Sequence, residues 1–158
     1  MAIIKLETII KADIQCCFDL SRSIDLHKIA AVKTAEKAID GRTAGLINLG
    51  EFVKWEAVHF GIKHKLTSRI TEFKQPFHFR DEQEQGIFNY LRHDHDFVAR
   101  NEYVIIKDLF EFQSPLGLIG KLVDKIFMTK YLENFLTERN IIIKEFVESD
   151  KWKLILGT

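Results

Sequence analysis

The sequence has no excess of charge of either sign. Lysine plus arginine and aspartate plus glutamate each number 23 in 158 residues, and the basic residues are dispersed, usually beside acids. A nucleic-acid-binding surface needs a clustered basic excess, so this composition argues against nucleic acid as a partner. The same dispersion argues against binding to an anionic membrane surface.

Cysteine is scarce as well, because Cys16 and Cys17 are the only two and they are neighbours. Adjacent cysteines rarely bridge each other, since a disulfide requires a particular geometry of the two Cβ atoms. Two thiols without a disulfide framework fit a reducing compartment. No apolar run near the start has the length of a secretory signal. We therefore expect a cytoplasmic protein.

Long hydrophobic runs are absent, and prolines are few. No stretch of 18 apolar residues occurs, so the sequence predicts no transmembrane helix. The two prolines, Pro76 and Pro115, fall between predicted elements, where their missing N–H groups cost least. With 46% apolar residues and no visible linker or repeat, residues 1–158 are expected to form one domain.

What the sequence does contain is a series of strands that ends in one long helix. Alternating apolar and polar side chains, separated by turn residues, predict an antiparallel meander. Two short helices over about 14–20 and 24–33 follow the first strand, the first capped by Asp13 and the second by Ser23 or Asp25. The predicted strands cover residues 2–10, 35–39, 51–61, 62–73, 77–85, 87–99 and 102–112.

The final helix is predicted to run from about residue 116 to 147. Its apolar side chains recur three and four residues apart, at Ile119, Val123, Ile126, Phe127, Leu132, Phe135, Leu136, Ile142, Ile143 and Phe146. A helix of this kind needs an apolar surface, and a curved sheet wrapped around it would enclose a cavity. The tail, residues 148–158, is either an extra packed segment or a frayed end.

This order of elements resembles the START-like helix-grip superfamily, which includes plant pollen-allergen-like and polyketide-cyclase-like SRPBCC proteins. Local motifs resemble one bacterial branch, often labelled "ligand-binding" or "cell division inhibitor". They are residues 24–27, Gly41, 45–47, 50–57, 59–61, 79–82, 86–88, 93–97, Asp108, 114–117 and Gly120. Leu91 departs from the pattern, since this branch often carries Trp there, and so do Gln83 and Gln85.

The resemblance implies an α+β helix-grip fold. In that fold a curved antiparallel sheet of about six to seven strands wraps around one long C-terminal helix, with two short helices after the first strand. It also implies a hydrophobic small-molecule pocket. It implies no particular activity, because one fold hosts many functions.

Parity along the strands sorts side chains into an inner and an outer face. In the sixth predicted strand His93 and His95 share the apolar side, opposite Arg92, Asp94 and Asp96, which we expect to face solvent.

Three further polar residues, His59, Asp81 and Asp108, also occupy inner positions of their strands. Burying such groups without partners is costly, so each must be paired, hydrated or at a pocket mouth.

These inner groups allow three interpretations. One is a structural His–Asp network that makes one end of a cavity polar. Another is acid–base catalysis on a bound carbonyl compound, with His93, His95, His59 and Asp108 as the catalytic candidates. The third is a metal site, although a His-x-His pair alone lacks the full ligand set of zinc. We expect neither a metal nor a cofactor.

The main functional hypothesis is a binding module for a hydrophobic small molecule, such as a lipid, a polyketide or an aromatic metabolite. A cyclase-, dehydratase- or hydrolase-type enzyme using the same pocket is the alternative. A third hypothesis is an interaction protein whose cavity is a filled core. A homodimer is also compatible with the sequence. The predicted ligand-binding residues are Trp55, His59, Leu66, Phe79, Asp81, Leu91, His93, His95, Ile106, Asp108, Phe110, Val123 and Phe127, with His27 at the entrance.

Overall fold

The computed structural model describes residues 1–157, and its largest element is a seven-stranded antiparallel sheet. The strands are β1 (Ala2–Ile10), β2 (Lys37–Gly41), β3 (Phe52–His59), β4 (Ile62–Lys74), β5 (His78–Gln85), β6 (Tyr90–Arg100) and β7 (Tyr103–Gln113). Their order across the sheet is β1-β7-β6-β5-β4-β3-β2. The predicted meander is therefore confirmed.

The first strand closes the meander at its far side. β1 pairs antiparallel with β7, from Ala2 opposite Phe112 to Ile10 opposite Val104. β2 lies at the other edge and pairs only with β3, with a bulge between Ala38 and Asp40.

Two short helices, α1 (Ile14–Ser21) and α2 (Ile24–Ala30), follow β1. The side chain of Asp13 caps α1 by accepting a hydrogen bond from the backbone N–H of Cys16. Ser23, and not Asp25, caps α2. α2 ends earlier than predicted, because residues Val32–Thr34 form a separate 3₁₀ turn that Ala35 ends with a positive φ of 50°.

The C-terminal helix is continuous but not uniform. It begins as α3 (Gly117–Val123), widens into a π-helical turn (Asp124–Met128) and continues as α4 (Thr129–Glu148). Asp124 is buried in the π turn, where its carboxylate accepts hydrogen bonds from the backbone N–H and the hydroxyl of Ser114. This contact fixes the start of the helix to the end of β7.

Two apolar clusters fill the space between the sheet and the helices. The larger one is centred on Phe18, Phe97, Ile106 and Ile143. The smaller one surrounds Phe112 and includes Ile4, Leu91, Phe110 and Leu136. Both join side chains of the sheet to side chains of α4, so the sheet holds the C-terminal helix as the helix-grip prediction requires.

The tail forms a last short helix, α5 (Trp152–Leu156). Trp152, Ile155 and Leu156 are partly buried against the larger cluster, whereas Leu154 points outward. The tail is therefore an extra packed segment. Within residues 1–157, none of the helices combines the length and the apolar character needed to cross a lipid bilayer.

Two expectations about burial are wrong. Ile119, Val123, Ile126 and Phe127 are exposed, because α3 and the π turn make few contacts with the strands, whereas α1, α2 and α4 cover the sheet. Asp94 lies on the outer face as expected but is buried, because it accepts a hydrogen bond from Arg80 Nε at 2.6 Å and neighbouring long side chains cover it.

Candidate ligand-binding cavity

Two adjoining cavities lie between the concave face of the sheet and the C-terminal helix. The inner cavity, about 200 Å³, is enclosed by the middle of the sheet, by α1 and α2 and by α4. The outer cavity, about 380 Å³, lies between the β3–β4 turn and residues 114–123. Both are lined by Glu36, Trp55, His59, Leu66, Phe88 and Leu132. The interior is thus not packed solid.

The outer cavity opens toward solvent. Its rim includes Phe60, Ile62, Leu116 and Ile119, all of which are exposed. Its wall is almost entirely apolar, so the passage between solvent and the inner cavity presents hydrocarbon to an entering molecule.

The inner cavity has a polar end built by β4, β5, β6 and α4. His95 Nε2 donates a hydrogen bond to Asp81 Oδ2 at 2.8 Å, and Ser68 Oγ donates to the other carboxylate oxygen of Asp81 at 3.1 Å. His93 lies beside His95, with ring centroids 3.7 Å apart. Arg139, from α4, completes this end of the cavity wall. The inward orientation predicted for both histidines is observed.

Asp108 stands behind this polar end. It accepts hydrogen bonds from His93 Nε2 at 2.7 Å and from Asn140 Nδ2 at 2.6 Å. Arg139 Nη1 lies 3.5 Å from the same carboxylate. The Asp108 side chain is fully buried and lines neither cavity, so it acts on the site only through its neighbours.

The two aspartates are ionised at neutral pH. Burial is the largest single influence and would raise the pKa of Asp81, but the contacts with His95, the nearby His93 and the hydrogen bond from Ser68 together outweigh burial and lower that pKa to about 2. Burial likewise opposes ionisation of Asp108, yet the hydrogen bond from His93 and the charge of Arg139 hold the pKa of Asp108 well below its usual range. Each carboxylate therefore serves as an acceptor throughout the physiological range.

His95 is neutral in this arrangement. Burial, together with the nearby His93 and Arg139 side chains, lowers the pKa of His95 to about 3. The contacts agree, because Nε2 donates to Asp81 while Arg139 Nη2 lies 3.4 Å from Nδ1 and donates to it. This pairing assigns the single ring proton to Nε2.

A second polar group lies where the two cavities meet. His59 Nδ1 and the hydroxyl of Tyr131 share a hydrogen bond of 2.6 Å, and burial lowers the pKa of His59. His27 Nε2 donates to Glu36 Oε1 at 3.1 Å, and its ring lies against that of Trp55, tilted by 34° with centroids 4.3 Å apart. The second carboxylate oxygen of Glu36 has no hydrogen-bond partner within residues 1–157.

Most of the predicted ligand-binding residues come together. The inner cavity is lined by His27, Trp55, His59, Leu66, Phe79, Asp81, Leu91, His93, His95 and Phe110, and the outer cavity by Val123. The prediction does not hold for Ile106, which is fully buried in the larger apolar cluster, or for Asp108, which is buried behind His93, and neither residue lines a cavity. It does not hold for Phe127 either, because its ring lies outside the cavities, against Phe60 and Tyr131.

The sequence interpretation missed Arg139 and Glu36. Arg139 and Asn140 follow Leu136 by three and four residues, so they occupy the apolar face of α4. Polar residues at core positions of a helix are the signal that could have found them. Glu36 follows a turn, where no periodicity indicates its burial.

The arrangement resembles a metal site only in part. One ligand atom from each of Asp81, His93 and His95 lies within 4.8 Å of the others. However, Nε2 of each histidine is already bonded to a carboxylate, and the guanidinium of Arg139 would repel a second cation. The expectation of no metal stays a prediction.

No protein-family model and no curated protein sequence matches this chain. Solved structures do match. Major latex-like protein 151 from Panax ginseng gives a TM-score of 0.70 at 14% identity, covering 94% of this chain and 98% of that one. A START superfamily protein from Mycobacterium smegmatis gives 0.69 at 9% identity, over 91% and 98%. A protein from Thermus thermophilus gives 0.70 at 14% identity, over 90% and 97%.

Identities this low carry information about the fold alone. The predicted bacterial branch therefore stays a prediction. At the level of architecture, the sheet order, the two short helices after β1, the long C-terminal helix and the matches over nine-tenths of the chain agree. The chain has the START-like, SRPBCC-type helix-grip fold.

Proposed function

We propose that the protein binds a hydrophobic small molecule, such as a lipid, a polyketide or an aromatic metabolite, in the two adjoining cavities. The observation that carries this proposal is an open, largely apolar space with a polar end at His93, His95 and Arg139 and a smaller polar group where the cavities meet. The outer cavity alone, about 380 Å³, falls within the range of roughly 300–1,000 Å³ that is typical of small-molecule sites. A solid interior would have favoured a purely structural protein.

The polar end gives the ligand an orientation. Arg139 is buried, and its contacts to Asp108, Asn140, His95 and the backbone carbonyl of Ser21 are all 3.4–3.5 Å, longer than the usual 2.9 Å of an N–H···O bond. Its donors therefore favour a carbonyl or hydroxyl oxygen on the ligand. The apolar body of the ligand would then lie along Trp55, Leu66 and Leu132 toward the outer cavity.

A hydrophobic ligand that fits the site should remain bound during purification. Native mass spectrometry of protein purified from cells should show an added small-molecule mass that disappears on denaturation. Protein freed of that ligand should bind a fluorescent hydrophobic dye, and fatty acids should displace the dye. An empty protein that binds neither dye nor fatty acid would contradict the proposal.

A cavity-filling variant makes the test specific. Leu66 lines both cavities, so Leu66→Trp should obstruct the passage between them and reduce dye binding. The matched control is Leu154→Trp, the same substitution at an exposed position of α5. Equal dye binding by the two variants would place the dye outside the cavities.

A second candidate function is acid–base catalysis on a bound carbonyl compound, by a cyclase-, dehydratase- or hydrolase-type enzyme. The observation that favours it is the pairing of a cavity-lining His95 with an ionised Asp81. Asp81→Asn is a better test than Asp108→Asn, because Asp81 lines the cavity and Asp108 does not. In an enzyme, Asp81→Asn should abolish turnover of a bound carbonyl substrate while dye binding persists. Unchanged turnover would exclude this role.

A further inference from the structure

The start of the C-terminal helix exposes an unusual amount of apolar surface. We name residues 116–127, with Phe60 and Ile62 of the β3–β4 turn, the rim surface. The most exposed apolar side chains of its helical part are Leu116, Leu118, Ile119, Leu122 and Ile126, with exposed fractions between 57% and 82%. Isolated exposed leucines are ordinary, but a contiguous patch on a soluble domain marks an interaction site.

The patch is continuous across two elements. Phe60, at the tip of the β3–β4 turn, packs its ring against Phe127 at 5.1 Å between centroids and against Tyr131 at 4.6 Å. Phe60 and Ile62 remain more than half exposed, so the turn extends the apolar surface of the helix. Both elements also line the outer cavity, which opens in the middle of the patch.

The exposed charges of the rim surface have one sign, because the Glu36 carboxylate that lines the outer cavity is shielded in its wall and paired with His27. Lys121 and Lys125 are exposed on the helix, and Lys65 is exposed where it lines the outer cavity. None of the three has an ion-pair partner within residues 1–157. The one acid of the segment, Asp124, is buried against Ser114. The fold thus brings together lysines that are dispersed in the sequence, and this face is basic although the composition is balanced.

Exposed apolar side chains together with unpaired lysines favour a lipid bilayer, and not a second copy of the chain, as the partner of the rim surface. Helices that lie in a membrane interface combine an exposed apolar face with lysines, which anionic headgroups neutralise. A symmetric dimer through the rim surface would instead bring Lys121 and Lys125 of two chains together without an acid on either side to pair them.

We propose that the rim surface docks on an anionic phospholipid bilayer, with the apolar side chains among the acyl chains and the three lysines at the headgroups. In this orientation the outer cavity faces the hydrocarbon region. The proposal rests on exposure and charge, and it stands whether or not the cavities hold a ligand.

The test is flotation of the whole protein with vesicles of phosphatidylcholine, alone or with about 30% phosphatidylglycerol. We expect binding to the anionic vesicles, weakened in about 0.5 M salt because the headgroup attraction is screened. Lys121→Ala/Lys125→Ala should lower the partition coefficient about fivefold per lysine, since each contributes ~1 kcal/mol. Leu118→Ser/Ile126→Ser should lower it at least tenfold.

Matched controls separate docking from a general change of surface. Leu154 is 81% exposed, Leu118 is 82% exposed, and Leu154 lies on α5, so Leu154→Ser should leave flotation unchanged. Lys5→Ala is the corresponding control for charge, because Lys5 is exposed on β1. Leu118 and Ile126 line neither cavity, so dye binding should persist in their variant and also reports that it is folded.

Three results would overturn the proposal. One is the absence of binding by the unaltered protein to anionic vesicles. Another is an equal loss in the rim and control variants. The third is a dimer in light scattering that Leu118→Ser/Ile126→Ser converts to a monomer without any vesicle binding, since a second copy would then cover the surface. Flotation without dye binding would instead contradict the proposed ligand cavity and leave the docking intact.

Discussion

Replacing Asp108 by asparagine tests the buried polar network at its centre. The side chain has no solvent exposure and lies against His93, Asn140 and Arg139. Asp108→Asn preserves the shape of the side chain but removes its charge. It also replaces one acceptor oxygen by an NH₂ group, which faces donors already in place.

The expected loss follows from two contributions. Breaking a buried ion pair from one side costs ~3–5 kcal/mol, because the remaining charge stays desolvated. A hydrogen bond to a charged group contributes ~1.5–3 kcal/mol. The two figures describe overlapping contacts and do not add. Since Arg139 Nη1 lies 3.5 Å from the carboxylate, beyond ideal hydrogen-bond distance, we expect a loss in the lower part of the ion-pair range, about 3–4 kcal/mol.

Urea denaturation at pH 7 measures the free energy of unfolding directly. Asp150→Asn is the matched control, because its side chain is 87% exposed, and it should leave the midpoint nearly unchanged. Arg139→Met alone should also destabilise the protein, since it leaves Asp108 without its cation. The double variant Asp108→Asn/Arg139→Met should lose at least ~1 kcal/mol less free energy of unfolding than the sum of the losses in the two single variants.

The pH dependence gives an independent check. The pKa of Asp108 is lowered in the folded state, so its contribution is present above the unfolded value of about 3.9 and is lost as pH falls below it. The stability difference between the protein and Asp108→Asn should therefore shrink below pH 4. A difference under ~1 kcal/mol at pH 7, or strict additivity with Arg139→Met, would refute the reasoning.

Three further predictions concern separate residues. Burial lowers the pKa of His95 to about 3, so the free energy of unfolding should decrease by up to ~1.4 kcal/mol per pH unit as pH falls from 6.5 to 4.5. Urea titrations of His95→Gln should show a smaller dependence of this free energy on pH. Burial raises the pKa of Cys16 to about 11 and of Cys17 to about 12, so thiol-reagent kinetics at pH 8 should show slow labelling of the folded protein. Gly120→Ala should lower the melting temperature, because the Cβ of the introduced alanine would lie 2.0 Å from the carbonyl oxygen of Pro115.

The strands and their faces follow from local pattern, and the sequence predicts them well. Alternation along β6 predicts that His93 and His95 face inward, and the backbone geometry of a strand makes this inference nearly independent of the rest of the fold. Burial is harder to predict. Asp94 is on the expected outer face, yet Arg80 and other long side chains from neighbouring strands cover it.

Burial along the C-terminal helix is also hard to predict. A period of three and four predicts that an apolar face exists but not what lies against it. Ile143 packs in the core and Ile126 is exposed to solvent, although both fit the same pattern, because the π turn makes few contacts with the strands. The polar end of the cavity depends equally on long-range geometry, since Arg139 reaches His95 only when α4 crosses β6.

The pairing of β1 with β7 has a consequence for how the chain is assembled. Ala2 finds its partner at Phe112, about a hundred residues further on, whereas every other strand pairs with its immediate successor. During synthesis the strands from β2 onward have neighbours as they emerge, but β1 can pair with its partner only after the seventh strand has left the ribosome. β1 is therefore the last strand that can join the sheet, and the fold stays open along one edge of β7 until it does.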